Sequence, residues 1–400
     1  MKRNGSPDYL LYAAAVVATL FGLIAIWDAG YAESAAQGAM IPSGLFGQVA
    51  FGVVGICSAY FLGKLAPAKL KKMVWPIMVV TIILLVGVLI LGKEVNGATR
   101  WYRFGKFSFQ PSEVAKVSCV LFIAAGFAGL KPWVQPKVRG FGDWIGKVGF
   151  EKVVRAWPML PIMVVFGLIE LQPDLKTAMV ILVTSGFMLW AAGVSRKSFA
   201  ILGVCLVVLA GAAIIDKPYR MTRLLSHSDR WSDSKIDSIG YQTTQSETAL
   251  AMGGVLGKGF GQGRAKYTLP EPTSDFVLAT IGEEAGLIGS LLVIGLLGFI
   301  VFRLYNHGMQ RIDRFEKLFL VGVSCWIGIQ TIANVLVANG AVPVMGVPLP
   351  FFSAGGSSLF ALWLAIGVSQ AMISSPNVRI EQGGKLVDEG EPSVRRAYVR

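Results

Sequence analysis

Charge is scarce in this chain. Asp, Glu, Lys and Arg make up 15% of 400 residues against 54% hydrophobic residues, which excludes an ordinary soluble globular protein. Histidine is scarcer still, and because His227 and His307 stand far apart, no metal cluster is expected. Cys57, Cys119, Cys205 and Cys325 all fall inside apolar stretches without paired spacing, which argues against a disulfide framework and against a zinc site. No hydrophilic run is long enough for a separate soluble domain, and no internal repeat stands out.

What the chain does have is apolar length. Stretches able to cross a ~30 Å hydrocarbon core fall near 9–28, 45–63, 73–92, 113–130, 157–171, 174–193, 199–215, 276–302, 318–339 and 355–375. The expected fold is an all-α integral membrane protein of about ten transmembrane helices. One domain would cover 1–375, with a large extracytoplasmic loop at 216–274 between helices seven and eight, followed by a disordered cytoplasmic tail at 376–400. The fifth stretch is bounded or interrupted by Pro158, Pro161, Glu170, Gln172 and Pro173, which a membrane tolerates where protein or a water-filled cavity covers the break. The first stretch is too long for a signal peptide and is read as a retained helix. Residues 131–157 mix Trp133, Trp144 and Trp157 with basic groups, as an amphipathic segment at the inner leaflet does.

The net charge of +13 does not indicate nucleic acid, because the basic residues recur between alternate apolar stretches rather than on one soluble face. Lys64, Lys69, Lys71 and Lys72, then Arg196 and Lys197, then Arg303, Arg311, Arg314 and Lys317 put both termini in the cytoplasm under the positive-inside rule. Two outward loops are basic against that bias, one through Arg100, Arg103 and Lys106, the other through Arg220, Arg223, Arg230, Lys235, Lys258, Arg264 and Lys266. They are expected to meet something anionic.

Acids at the membrane edge need a reason, since an ionised group in hydrocarbon costs a few kcal/mol or more. Asp275 is expected to open the eighth helix, with Glu283 and Glu284 further along it. On an ideal helix Glu283 lies about 80° around from Asp275 and Glu284 about 180°. Glu283 is therefore expected to share the cavity of Asp275 and raise its pKa by repulsion, while Glu284 reaches another helix. In the fourth helix Glu113 and Lys116 are spaced to form a structural ion pair. The glycines at 253, 254, 257, 259, 261 and 263 surround Lys258 without P-loop spacing, and are read as turn residues.

The motifs resemble one family. They are Asn96-Gly97-Ala98-Thr99-Arg100-Trp101, Phe109-Gln110-Pro111-Ser112-Glu113, Leu171-Gln172-Pro173-Asp174, Gly240-Tyr241-Gln242 with Gln245-Ser246, Leu269-Pro270-Glu271 with Asp275-Phe276, Gly282-Glu283-Glu284, and Pro348-Leu349-Pro350-Phe351 with Gly355-Gly356-Ser357-Ser358. Together they resemble the SEDS (shape, elongation, division and sporulation) family of RodA/FtsW-type peptidoglycan glycosyltransferases. Pro348-Leu349-Pro350-Phe351 is closer to the RodA branch and Ser228-Asp229-Arg230-Trp231 to the FtsW branch. The chain departs from the family at Thr273-Ser274, where His-Thr is usual, at Glu247, usually apolar, and at Ala354, usually Tyr.

The resemblance implies polymerisation of lipid II into glycan with release of undecaprenyl diphosphate, in cell elongation or division. It also implies a bacterial cytoplasmic membrane location and a class B penicillin-binding protein as transpeptidase partner. Asp275 matches the family's essential aspartate, and Glu113 with Lys116 its fourth-helix pair. The chemistry fits: a diphosphate-linked sugar needs a base for the acceptor hydroxyl and cations for the leaving group. Asp275 supplies the base. Arg100, Arg103, Arg220, Arg223 and Lys258 are candidates for the diphosphate, beside or through a divalent cation such as Mg2+ or Mn2+, with Gln245 and Glu283 completing the substrate-binding set. The alternative, a lipid II flippase, needs a polar path across the whole bilayer. Helices one, two, three, nine and ten are nearly bare of charge, which favours the enzyme.

Overall fold

The computed structural model describes residues 5–95, 97–105, 107–129, 157–194, 203–204, 211, 218–232, 240–380 and 386–388. Helix α1 (Tyr9–Ala36) starts where Asp8 accepts the N–H groups of Leu10 and Leu11, satisfying two donors that a helix start leaves open. Helices α2 (Ser43–Gly63) and α3 (Pro67–Leu91) follow, and α3 begins with proline, whose missing N–H costs nothing in a first turn. The same device starts α4 (Pro111–Ala128). Helices α5 (Leu160–Glu170) and α6 (Leu175–Ala191) are short and apolar.

The later part holds α7 (Pro218–His227), α8 (Tyr241–Gly253), the single turn α9 (Ala265–Thr268), α10 (Val277–Met309), α11 (Arg314–Ala338) and α12 (Gly356–Ile373). Among the described residues, seven helices, α1 to α4 and α10 to α12, are long and apolar enough to cross a membrane. The seventh expected span, 199–215, and all of 131–157 except Trp157 lie outside the described residues, apart from the isolated positions 203, 204 and 211. Trp157 itself stacks on Trp75 of α3 at 5.8 Å.

Burial separates centre from rim. The apolar windows of α4 and α12 are 78% buried and those of α2 and α10 only 22%, so the first pair forms the core and the second faces outward. Leu287, Leu291, Leu292 and Phe302 of α10 are exposed, as hydrocarbon solvent permits. The core helix α12 packs on α2, and α11 packs on α4, α6 and α10. Small residues set the first of these contacts: a Cβ added at Gly367 would lie 2.5 Å from Ala59 Cα, so the two backbones meet where no side chain fits.

The outward loop expected around Arg100 and Arg103 is in fact a sheet. Strands β1 (Lys93–Val95), β2 (Ala98–Phe104) and β3 (Phe107–Phe109) pair antiparallel in that order. Gly97 and Gly105, at φ 75° and 60°, supply the left-handed backbone of the two turns. The aromatic and β-branched residues of Thr99-Arg100-Trp101-Tyr102 suit a half-buried strand, and the Tyr102 hydroxyl fastens the sheet to α3 through Leu84 O at 3.0 Å. In the tail, β4 (Val378–Ile380) pairs with β5 (Leu386–Asp388), and residues 381–385 and 389–400 lie outside the described residues.

Helix α10 is broken early. Gly286 takes φ 69° and ψ −165°, and its missing Cβ admits another backbone: a Cβ there would lie 2.4 Å from Gly257 N and from Val255 O. Through that opening Leu287 N–H donates to Gly254 O at 2.9 Å. The long loop is thereby sewn into the start of the helix.

Candidate active site

Asp275 does not open α10, as the sequence suggested. Helix α10 starts at Val277 with Phe276 as its N-cap, and Asp275 sits in the turn before it. That turn is fixed through its backbone. Asn334 Nδ2 of α11 donates to Asp275 O at 3.0 Å and to Val347 O at 2.9 Å, tying the turn to the loop before α12. The Ser353 hydroxyl donates to Ser274 O and accepts Leu349 N–H, while Ala354 N–H donates to Thr273 O at 2.8 Å. The Asp275 side chain is half-buried. A Cβ built on Gly346, which has φ +69°, would lie 3.2 Å from Asp275 Oδ2 and 3.5 Å from Lys176 Nζ. The fold thus brings Lys176 to Asp275. Sequence reasoning passed it over, although it follows Leu171-Gln172-Pro173-Asp174 directly.

Asp174, N-cap of α6, makes no cap bond. Its carboxylate turns to α4, accepting Gln110 Nε2 at 2.9 Å and the Ser112 hydroxyl at 3.1 Å. The same turn captures Arg100, whose guanidinium donates to Gln172 O at 2.8 Å and to Pro173 O. Arg100 therefore splints the α5–α6 turn. Arg103 on the same strand is exposed. The side chains of Arg220 and Arg223 lie outside the described residues, and Gln245 is half-buried on α8.

The expected role of Glu283 is corrected, and Lys258 is found as its partner. Glu283 is 1% exposed, receives Lys258 Nζ at 2.6 Å and accepts the Ala265 N–H at 2.7 Å. A carboxylate so buried and so fully used neither repels Asp275 across a cavity nor meets substrate, and it occupies the Lys258 ammonium. Glu284 accepts the Gly261 and Gly263 N–H groups at 2.9 and 3.0 Å, so the glycine loop cradles an internal carboxylate where a phosphate might have been imagined. Glu284 also binds Lys266 at 2.9 Å, and Lys266 reaches Asp28 of α1 at 2.8 Å, which gives Glu284 its link to another helix. Burial opposes the Lys266 charge, but hydrogen bonds to Asp28 and Glu284 outweigh it and hold this pKa above the usual lysine value.

Two further pairs complete the electrostatics. Glu113 and Lys116 meet at 2.7 Å, both buried, with the ammonium 5.2 Å from the Trp326 ring centroid. Glu247, the acid at a usually apolar position, receives Arg230 at 2.7 Å and the Trp231 indole N–H at 2.8 Å, joining the end of the α7 segment to α8. Nearby, burial and then the charge of Arg230 lower the His227 pKa. Among the described residues, no group of three or more His, Cys, Asp or Glu side chains is arranged to hold a metal ion.

The chain is 31% identical to a probable peptidoglycan glycosyltransferase FtsW of Trichlorobacter lovleyi (strain ATCC BAA-1151 / DSM 17278 / SZ), over 92% of this chain and 93% of that protein. It is 32% identical to stage V sporulation protein E of Bacillus subtilis (strain 168), over 92% and 96%. A chain solved in work on the structural coordination of polymerization and crosslinking by a peptidoglycan synthase complex superposes with a TM-score of 0.73 at 27% identity, covering 92% of this chain and 98% of that one. The rod shape determining protein RodA of Thermus thermophilus superposes with a TM-score of 0.64 at 25% identity, over 92% and 97%. The FtsW/RodA/SpoVE family model, described as cell cycle protein, matches residues 8–375, and this multi-pass membrane chain belongs to that family.

Proposed function

We propose that this chain is a peptidoglycan glycosyltransferase that polymerises lipid II into glycan strands and releases undecaprenyl diphosphate. The observation that carries the reading is Asp275: a half-buried carboxylate on a turn whose backbone is pinned by Asn334 and the 347–354 loop. Pinning the backbone holds a base in place, as a near-attack geometry requires. The Asp275 carboxylate takes the proton of the acceptor hydroxyl as that oxygen bonds to the donor's anomeric carbon. The bond from that carbon to the diphosphate breaks, and the electron pair leaves with the diphosphate.

Exposed Arg103 binds the anionic substrate in this reading, a role the sequence also offers to Arg220 and Arg223. A divalent cation, Mg2+ or Mn2+, comes with the diphosphate. The membrane is the bacterial cytoplasmic membrane, and the distribution of basic residues supports both termini in the cytoplasm with the Asp275 turn outside. Likeness to a chain of a peptidoglycan synthase complex supports a class B penicillin-binding protein as partner.

The test is Asp275→Asn, which keeps size and polarity but removes the base. The variant should fold, insert and make no polymer from lipid II with the cognate transpeptidase present. Wild-type polymerisation by this variant would sink the reading. Movement of labelled lipid II between leaflets without polymer, unaffected by Asp275→Asn, would make the chain a transporter.

A further inference from the structure

Lysine and arginine are plentiful near the Asp275 side of the molecule, but most are already committed. Arg100 splints a turn, Arg230 is taken by Glu247, Lys258 by Glu283, and Lys266 by Asp28 and Glu284. Lys176 is placed differently. It is the second residue of α6 and half-buried, and its Cδ and Nζ each lie 3.5 Å from the Cβ position of Gly346. Asp275 Oδ2 lies 3.2 Å from that same point. An ammonium and a carboxylate from distant parts of the chain therefore converge where residue 346 has no side chain.

We propose that Lys176 is a catalytic residue, the cation that contacts the diphosphate of the lipid-linked donor beside Asp275. The proposal rests on the glycosyltransferase reading above and adds to it the binding site of the leaving group. Breakage of the bond to the anomeric carbon moves an electron pair onto the diphosphate oxygen, so positive charge is needed within a few ångströms of that oxygen. An ammonium on a flexible stem can follow that oxygen as it departs. Neighbouring Asp174, bound to Gln110 and Ser112 of α4, fixes the start of α6 and with it the base of the Lys176 side chain. The glycine at 346 keeps the shared space open: even an alanine methyl would press on the carboxylate and sit in a left-handed conformation.

The experiment separates binding from turnover. Full-length protein in detergent, carrying Asp275→Asn to remove chemistry, is titrated with farnesyl diphosphate as the probe. A further Lys176→Met change, which keeps the stem and removes the charge, should weaken binding about tenfold, and Lys176→Arg should restore most of it. On the Asp275 background with lipid II, Lys176→Met should raise KM and lower kcat, with Lys176→Arg close to wild type. Lys176→Met that binds the probe as tightly as its parent overturns the proposal, because Lys176 would then be only a counter-ion or a packing group. So does failure of Lys176→Arg to restore binding in a protein that elutes and melts like wild type. Absence of polymer from the wild-type protein would sink the glycosyltransferase reading, while the probe titration would still decide whether Lys176 holds a diphosphate.

Discussion

Asp275 and the Glu283–Glu284 pair lie close together in sequence at the same end of one helix, yet the fold treats them in opposite ways. The glutamates are 1% and 5% exposed, and their oxygens are filled by Lys258, Lys266 and three backbone N–H groups. Asp275 is half-buried, and what secures it is its backbone carbonyl. Acids whose own oxygens are saturated hold structure together. The turn that carries Asp275 is set instead through its backbone, by Asn334 of α11 and the loop before α12. The contrast also explains why the long loop can carry so much polar material: two carboxylates, two lysines and a run of glycine amides neutralise one another at the foot of α10.

The sharpest way to break the comparison is to remove one acid of each kind. Asp275→Ala should eliminate polymerisation, a loss of about a hundredfold or more for a general base, while the protein melts near wild type. Glu284→Ala should do the reverse first. It leaves the Gly261 and Gly263 amides without their acceptor and Lys266 with Asp28 alone, at a cost of about 1–3 kcal/mol for each orphaned group, and should lower the melting temperature of the detergent-solubilised protein sharply. Equal melting temperatures for the two variants would show that saturation of side-chain oxygens does not mark the structural acids.

The Glu113–Lys116 pair extends the comparison to a buried pair inside the membrane. Each single alanine substitution should destabilise the protein by a few kcal/mol, since either leaves a buried charge without its partner. The charge-swapped double variant should recover part of that loss. Thermal melts of the four proteins form the cycle, and additive losses would show that the two side chains do not act as a pair. That this pair was legible in the sequence, while Lys266 with Asp28 was not, has a physical reason. A spacing of three on one helix fixes distance through local geometry, whereas residues 238 positions apart are brought together only by tertiary packing.

The same division runs through the rest of the molecule. The apolar spans and the aspartate at the membrane edge could be read because hydrocarbon thickness and the cost of burying charge act on short stretches of chain. The start of α10 was misplaced by two residues because Asp275 looks like a cap, although the turn before the helix is set by Asn334 and Ser353 from elsewhere. The sheet at 93–109 did leave a local signal, glycines at 97 and 105 flanking a run rich in aromatic residues, but it stood in a loop between membrane helices where strands are not sought. Glu283 was assigned to the cavity from ideal helix geometry. Lys258 and the Ala265 amide, both on the loop that folds back through Gly286, draw it the other way.

A smaller effect separates two arginines of one strand. Arg100 donates to backbone carbonyls of the α5–α6 turn, and Arg103 is exposed. Arg100→Gln should cost about 1–3 kcal/mol of stability and reduce turnover through disorder of the turn that carries Asp174 and Lys176. Arg103→Gln should leave the melt unchanged and weaken use of lipid II alone. Hydrogen exchange at residues 172–176 would tell the two apart, rising in the first variant and not in the second.

The smallest effect expected concerns Asp8, a saturated acid at the opposite end of the sequence. Burial pushes its pKa up, but hydrogen bonds from Arg303, the Leu11 amide and His307, with the charge of Arg303, outweigh burial and hold it below 3.8. A carboxyl depressed in the folded state adds stability that is fully present above its unfolded value and lost as the pH falls through its folded one. Asp8→Asn keeps a capping oxygen but loses the charge facing Arg303 at 2.8 Å. Its melting temperature should lie a few degrees below wild type by a constant amount above about pH 4, with the two curves converging at more acid pH. Lys266 offers no such signature near neutral pH, because its pKa is raised and its contribution persists until the pH climbs past the ordinary lysine value. A gap between Asp8→Asn and wild type that stays constant down to pH ~3 would mean that the cap, and not the charge, is what Asp8 contributes.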